Sequence, residues 1–246
     1  MALRDKRVRA VVIGSKKVGE IHKLISIISP ELGFQTVMIY GGRKGKKTSS
    51  GELFSYGSLL LHYDPIKNYY SLVEDECSFS PVNILSSVKA VFCASALCEI
   101  AAAFKTDNYE ELYYLMVSAL EILSNNLESY IKIIVDFSWK VLLSSGSVSF
   151  PFSYCISCGK KLLENEDLAF SNYFLNFTCT DCSDDTSFRM LPGSRRYLTF
   201  TSEMNLFDAF NVGLSEQAQI RLFKLLTRYI EILFHININS LKGLIE

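Results

Sequence analysis

Four cysteines stand in two close pairs, Cys155-x2-Cys158 and Cys179-x2-Cys182, with 20 residues between the pairs. Two such hooks can bring four thiolate sulfurs to the corners of a tetrahedron, an arrangement that zinc accepts without strain. Four thiolates fill the coordination shell and leave no position for water or substrate. The expected ion is therefore a structural Zn2+ rather than a catalyst. The plainer alternative is four buried apolar cysteines, and a redox Cys-x-x-Cys is a further rival, although hooks in tandem are unusual for such a site. Cys93 and Cys98 lie in an Ala-rich apolar run and read as core, while Cys77 stands apart.

The second chemical signal is charge. The net charge is −1, yet residues 1–50 hold 11 Lys/Arg against 3 Asp/Glu, and the remaining 196 residues hold 14 against 23. A basic first segment on an acidic remainder points to polyanion binding; a solvated β-face that happens to be basic is the bland reading. The glycine-studded run 41–51 carries Arg43, Lys44, Lys46 and Lys47, and a second basic turn carries Lys16 and Lys17, with Lys23 beyond it. Glycine lets backbone approach phosphates while the cations neutralise them. The run lacks the spacing of a nucleotide P-loop, and an ordinary hairpin connection would have similar composition. Tyr40, Phe54, Tyr56, Tyr63, Tyr69 and Tyr70 offer stacking surfaces or, equally in keeping with strands, core.

Catalytic chemistry has little support. His22, His62 and His235 are scattered, no Ser-His-Asp or Cys-His signature is present, and no ligand triad leaves an open metal position. The acidic groups Glu164, Glu166, Asp167, Asp181, Asp184 and Asp185 around the cysteines read as solvated loop charges. A binding protein, not an enzyme, is expected.

These groups need a scaffold. With 49% hydrophobic residues in 246, the chain can bury a substantial core. No apolar run reaches the roughly 18 residues of a membrane span, and cysteines in metal spacing suit a reducing compartment, so a cytoplasmic protein is expected. Strand patterns cover about 8–14, 21–29, 34–40, 53–63 and 66–74, the second and third divided by Pro30-Glu31-Leu32-Gly33. Five short strands in this length predict a small closed barrel of the oligonucleotide-binding type. From Ser80-Pro81 the period becomes helical: 82–104, 109–123 behind a capping box at Asp107 and Glu110, 127–143, a short 202–210, and 216–236 behind Ser215. The expected class is α+β: residues 1–78 form the barrel, and 79–246 a helical domain from which a cysteine segment, about 150–190, protrudes.

Laid out in this order, the chain resembles the bacterial RecO family of DNA repair and recombination proteins. The residues that carry the likeness are Gly19-Glu20, Lys23-Leu24, Pro30-Glu31-Leu32-Gly33, Gly42-Arg43-Lys44 with Ser49 and Ser50, Gly146, Pro151, Cys155-x2-Cys158-Gly159, and His235 with Ser240-Leu241. Two positions depart from the pattern: His22 stands where the family often has an acidic residue, and Asn176-Phe177-Thr178 where it often has a Gly-Gly pair. The resemblance implies a recombination mediator that binds single- and double-stranded DNA, anneals complementary strands, and helps load recombinase onto DNA coated by single-strand-binding protein. It implies two protein partners, RecR and the acidic C-terminal tail of the single-strand-binding protein. Lys16, Lys17, Lys23, Arg43, Lys44, Lys46 and Lys47 are the expected DNA contacts. Lys132, Lys140, Arg221, Lys224 and Arg228 are the cations available to the acidic tail. Two rival classes remain: a nucleic-acid-modifying enzyme with a structural zinc ribbon, and a zinc-stapled adaptor whose barrel binds protein.

Overall fold

A computed structural model of the chain describes residues 5–43, 50–183 and 188–245. They fall into two compact units, Met1–Glu128 and Ser129–Glu246. In the first unit, β1 (Asp5–Val18), β2 (His22–Ser29), β3 (Gly33–Ile39), β4 (Tyr56–Asp64) and β5 (Tyr69–Phe79) close into a barrel of order β1-β2-β3-β5-β4. The β3–β5 pair is parallel and the other pairs are antiparallel, which gives the five-stranded barrel of the oligonucleotide-binding type.

Alternation along each strand fills the interior: Val8, Ala10 and Val12 from β1, Ile25 and Ile27 from β2, Val37 and Ile39 from β3, Leu59 and Leu61 from β4, and Leu72 from β5. Val11 and Ile28 have the opposite parity, pair directly across β1 and β2, and are also buried. Their cover comes from α2 (Val88–Ala103) and α3 (Tyr109–Asn125), which pack on β1 and β2. Gly57 sits at a bulge between β4 and β5, where a Cβ would lie 2.1 Å from the Glu76 carbonyl oxygen; no other residue fits.

Three sequence expectations need correction here. The apolar run 82–104 is broken into α1 (Val82–Leu85) and α2, because the Ser87 side chain accepts from the Ala90 N–H and restarts the helix. The cap of α3 is Asn108, whose side chain accepts from Glu111, rather than Asp107. The first three helices join the barrel's unit, whereas the sequence reading places every helix after 81 in one body.

The second unit is built on α4 (Tyr130–Ser144) packed against α7 (Glu216–Leu233), with α5 (Pro192–Thr201), α6 (Leu206–Asn211) and the short α8 (Lys242–Ile245) around them. Of the expected helix 202–210 only 206–210 are helical, as part of α6, and residues 202–205 are the turn that separates it from α5. The Pro192 start of α5 was missed because its Arg-Arg-Tyr sequence carries no clear apolar stripe. Between α4 and α5, three short strands form a sheet of order β7-β6-β8: β6 (Leu168–Ser171), β7 (Asn176–Cys179) and β8 (Phe188–Met190). Every residue of β6 and β7 is buried, and Phe170 lies 4.5 Å, centroid to centroid, from Tyr229 of α7. The cysteine segment is thus rooted in the helical core rather than protruding from it.

Candidate metal centre and nucleic-acid interface

The first hook is a tight turn. Cys155 N–H donates to the Lys160 carbonyl at 2.8 Å, and Gly159 N–H returns to the Cys155 carbonyl at 2.9 Å. Gly159 has φ +71°, the left-handed conformation that glycine takes without strain. The second hook leaves the end of β7 and closes in a single 3-10 turn over Thr180–Cys182. The four sulfurs of Cys155, Cys158, Cys179 and Cys182 all lie within 4.8 Å of one another. A tetrahedron with Zn–S bonds of about 2.3 Å has edges of about 3.8 Å. The Cys158–Cys179 sulfur separation is 3.8 Å, so the donor set fits that ion in type, number and spacing.

Electrostatics prepare the hook for a cation. Burial opposes ionisation of Cys155, but N–H groups of Cys158, Cys179 and Ser157 aimed at its sulfur outweigh it and bring its pKa down to about 6. Cys179 N–H makes one of these bonds, 3.3 Å from the Cys155 sulfur. Desolvation and neighbouring sulfurs push Cys179 up to about 12, the mutual repulsion that a divalent cation would relieve. Lys160 lies between the two hooks in largely exposed ion pairs, 3.7 Å from Glu166 and 3.6 Å from Asp181.

Support from behind comes from Arg195, a residue the sequence reading passed over. Its guanidinium is buried, and it donates to the Phe152 carbonyl at 2.7 Å and to the Leu163 carbonyl. Trp139, Phe152, Phe170, Phe177 and Tyr229 form a chain of ring contacts beneath it.

The barrel sorts its cations. Arg7 is held by Glu74 and Glu76 on β5, and Arg9 by Glu31 and Glu110. Lys16 and Lys17, near the β1–β2 turn, are exposed. Arg43 joins them: its N–H donates to the Ile21 carbonyl, and its guanidinium donates to the Gly19 and Glu20 carbonyls at 3.3 and 3.0 Å. Lys23 pairs directly with Lys17, so both lie on the side that continues the barrel interior. Lys23 is half-buried, and desolvation lowers its pKa against the pull of Glu52 and Asp75. Of the seven expected DNA contacts, then, Lys16, Lys17 and Arg43 share the β1–β2 end, Lys23 sits at the adjoining mouth beside carboxylates, and Lys44, Lys46 and Lys47 lie outside the described residues.

The aromatic candidates divide in the same way. Phe54 is buried, and Tyr56 stacks on Phe79 and hydrogen-bonds Glu121 of α3, so both are structural. Tyr63 and Tyr70 meet at 5.1 Å, with Tyr70 against the barrel core. Tyr40 and Tyr69 instead share a hydroxyl–hydroxyl hydrogen bond at the surface.

Two family models match the chain: "Recombination protein O N terminal" over residues 1–78 and "Recombination protein O C terminal" over residues 85–242. The chain belongs to the RecO family. Similar relatives carry the name DNA repair protein RecO. The protein of Clostridium kluyveri is 22% identical over 90% of this chain and 86% of its own length. That of Clostridium perfringens strain 13 is 26% identical over 87% of each chain. That of Dehalococcoides mccartyi is 24% identical over 87% of this chain and 84% of its own. Among the described residues no helix of this RecO-family chain is long and apolar enough to cross a membrane.

The tail-facing cations expected from sequence also sort by burial. Lys132 is buried, 3.0 Å from Asp136 and bonded to Tyr197, and Lys140 donates to the Thr201 and Ser202 carbonyls. Both are spent inside the fold. Arg221, Lys224 and Arg228 are exposed along α7.

Proposed function

We propose that this RecO-family chain is a non-enzymatic recombination mediator. It binds single- and double-stranded DNA, anneals complementary strands, and helps load the strand-exchange recombinase onto DNA coated by single-strand-binding protein. Residues 1–78 act as the DNA-binding module, and the helices that follow supply the partner-facing surface. The observation that carries this reading is family membership in a chain whose barrel ties up Arg7 and Arg9 in ion pairs while leaving Lys16 and Lys17 exposed beside Arg43. Cations gathered at one barrel end neutralise the phosphates of two strands and lower their mutual repulsion, so that pairing can nucleate.

The four cysteines hold Zn2+ as a structural ion that joins the ends of segment 150–190. RecR and the acidic tail of the single-strand-binding protein are the protein partners. A groove of about 480 Å³ in the second unit supports the tail assignment: Arg196 and Arg221 supply charge, and Phe200, Val212 and Leu214 an apolar wall. The place of action is the cytoplasm, at the nucleoid.

The test is a strand-annealing assay on bare and protein-coated complementary oligonucleotides across a salt series. The wild-type chain accelerates annealing, and the triple variant Lys16→Glu, Lys17→Glu, Arg43→Glu slows it by at least about tenfold and flattens the salt dependence. Unchanged annealing in the variant removes this barrel end from the site.

A further inference from the structure

We propose that the cysteine centre is a peroxide-sensitive switch: hydrogen peroxide joins Cys158 to Cys182, zinc is released, and the cleft beside α5 loses the support of one wall. This rests on the structural-zinc reading above and adds its regulation. The four sulfurs are close together but not equivalent. Cys155 and Cys179 are 2% and 3% exposed. Cys158 is exposed and Cys182 partly so. Each hook therefore offers one hidden sulfur and one that solvent reaches.

Hydrogen bonds deepen the difference. The Cys155 sulfur accepts the Cys179 N–H at 3.3 Å and further N–H groups from Ser157 and Cys158. The hidden sulfur of the second hook, Cys179, accepts the Cys182 N–H. Such donors draw electron density from a thiolate and blunt its attack on an oxidant. Access and nucleophilicity thus direct oxidation to Cys158 and Cys182.

The chemistry balances with peroxide as the oxidant. The Cys158 thiolate attacks one peroxide oxygen; an S–O bond forms, the O–O bond breaks, and hydroxide leaves. The sulfur has lost two electrons and is a sulfenic acid. The Cys182 sulfur lies within 4.8 Å, on the other hook. Its thiolate attacks the Cys158 sulfur, forms the S–S bond and expels a second hydroxide. Two protons from solvent turn the two hydroxides into water. Only Cys155 and Cys179 remain as thiolates, and the closed four-sulfur shell that holds the ion is gone.

The fold carries this change to a binding surface. Cys155 and Cys158 form the tip of a hairpin tied by Cys155 N–H to the Lys160 carbonyl, a Tyr154–Lys161 bridge, and Leu162 N–H to the Ser153 carbonyl at 2.9 Å. The hairpin flank, with Ser153, Lys161 and Leu163, shares a cleft of about 620 Å³ with Arg196 and Phe200 of α5. The same Arg196 and Phe200 line the groove assigned above to the acidic tail. Zinc release frees the hairpin tip, so oxidation loosens the wall against which these two side chains are set.

The experiment titrates protein purified with zinc under reducing conditions with hydrogen peroxide. A chromogenic chelator reports released zinc, and differential alkylation with mass spectrometry maps the cysteines. Cys77, an exposed thiol in the first unit, serves as internal reference. Zinc is released before Cys77 is fully oxidised, a Cys158–Cys182 disulfide forms, and Cys155 and Cys179 remain free thiols. Hydrogen exchange across residues 153–163 becomes at least about tenfold faster. Reductant with added zinc restores both metal and protection, and Cys77→Ser leaves the release rate unchanged. Zinc retained after complete oxidation of Cys77 overturns the proposal. So does a disulfide within one hook, a sulfinic acid at Cys158 that reductant cannot reverse, or exchange that does not change on release. Reduced protein that holds no zinc overturns the zinc reading, and the switch with it.

Discussion

The barrel and the cysteine segment solve the same problem in different ways. Both are small sheets, but the barrel closes on itself, so its backbone groups are paired by neighbouring strands and its interior is filled by aliphatic side chains from all five. The cysteine sheet has strands of 4, 4 and 3 residues and open edges, too little to stand alone. Its order is imposed from outside, by four sulfurs at one end, by Arg195 on two carbonyls, and by a stack of aromatic rings. Where hydrogen bonds and burial suffice, the surface is free to carry charge for binding. Where they do not, the side chains themselves are committed to holding the fold.

The largest effect should follow from metal removal. Structural zinc sites carry apparent binding free energies of about 10–16 kcal/mol, more than so short a sheet can replace. Chelation, or the exposed-ligand variant Cys158→Ala, is expected to abolish zinc binding at the proposed site. It should also speed hydrogen exchange across residues 153–182, leaving the barrel strands β2 and β3 protected. Elemental analysis of reduced protein reads the first and mass-resolved exchange the second. Protection that survives complete metal loss would mean that the four cysteines are plain packing residues and that the contrast between the regions is false.

Arg195 tests the same contrast without touching the metal. Arg195→Met keeps much of the apolar stem but leaves the Phe152 and Leu163 carbonyls without their charged donor. Losing two charge-assisted hydrogen bonds is expected to cost about 3 kcal/mol, read as a shift in the urea midpoint of the second unit. A loss below about 0.5 kcal/mol would show that the rings alone hold the segment.

Those two devices were not equally legible in the sequence. The hooks were, because metal ligation forces residue type and spacing together. The barrel strands were legible through alternation, as in Ile25 and Ile27 or Val37 and Ile39, though β1 runs on to Val18 through a bulge that breaks its period. Arg195 was not, since it looks like any helix-surface arginine until tertiary packing brings two carbonyls to it. The same holds for Lys23, whose neighbours Glu52 and Asp75 are distant in the chain, and for Lys67, which meets Tyr69 only because a turn folds it back. The break at Ser87 was hidden by an apolar run whose composition suits one long helix; the cap could be read only from its bond to Ala90.

The smallest effect belongs to the barrel's own ionic clasp, and its pH dependence separates it from the devices of the cysteine segment. Glu31 accepts from Arg9 Nε at 2.8 Å, from the Arg9 N–H at 3.1 Å and from Ser29 Oγ at 3.0 Å, while Arg9 also meets Tyr114 of α3. Burial pushes the Glu31 carboxyl up, but the Arg9 and Ser29 bonds outweigh it and hold its pKa below the ordinary 4.5. A depressed acid binds its proton less readily in the folded state, so it stabilises the fold fully above its unfolded pKa. That contribution disappears as pH falls from about 4.5 through the lowered value. Because the pair is largely exposed and screened, its contribution should be small. Arg9→Ala is therefore expected to lower the first unit's thermal midpoint slightly at pH 7 and hardly at all once Glu31 is protonated in both states. An equal loss at both pH values would assign the effect to the packing of the Arg9 stem against Tyr114 instead of to charge.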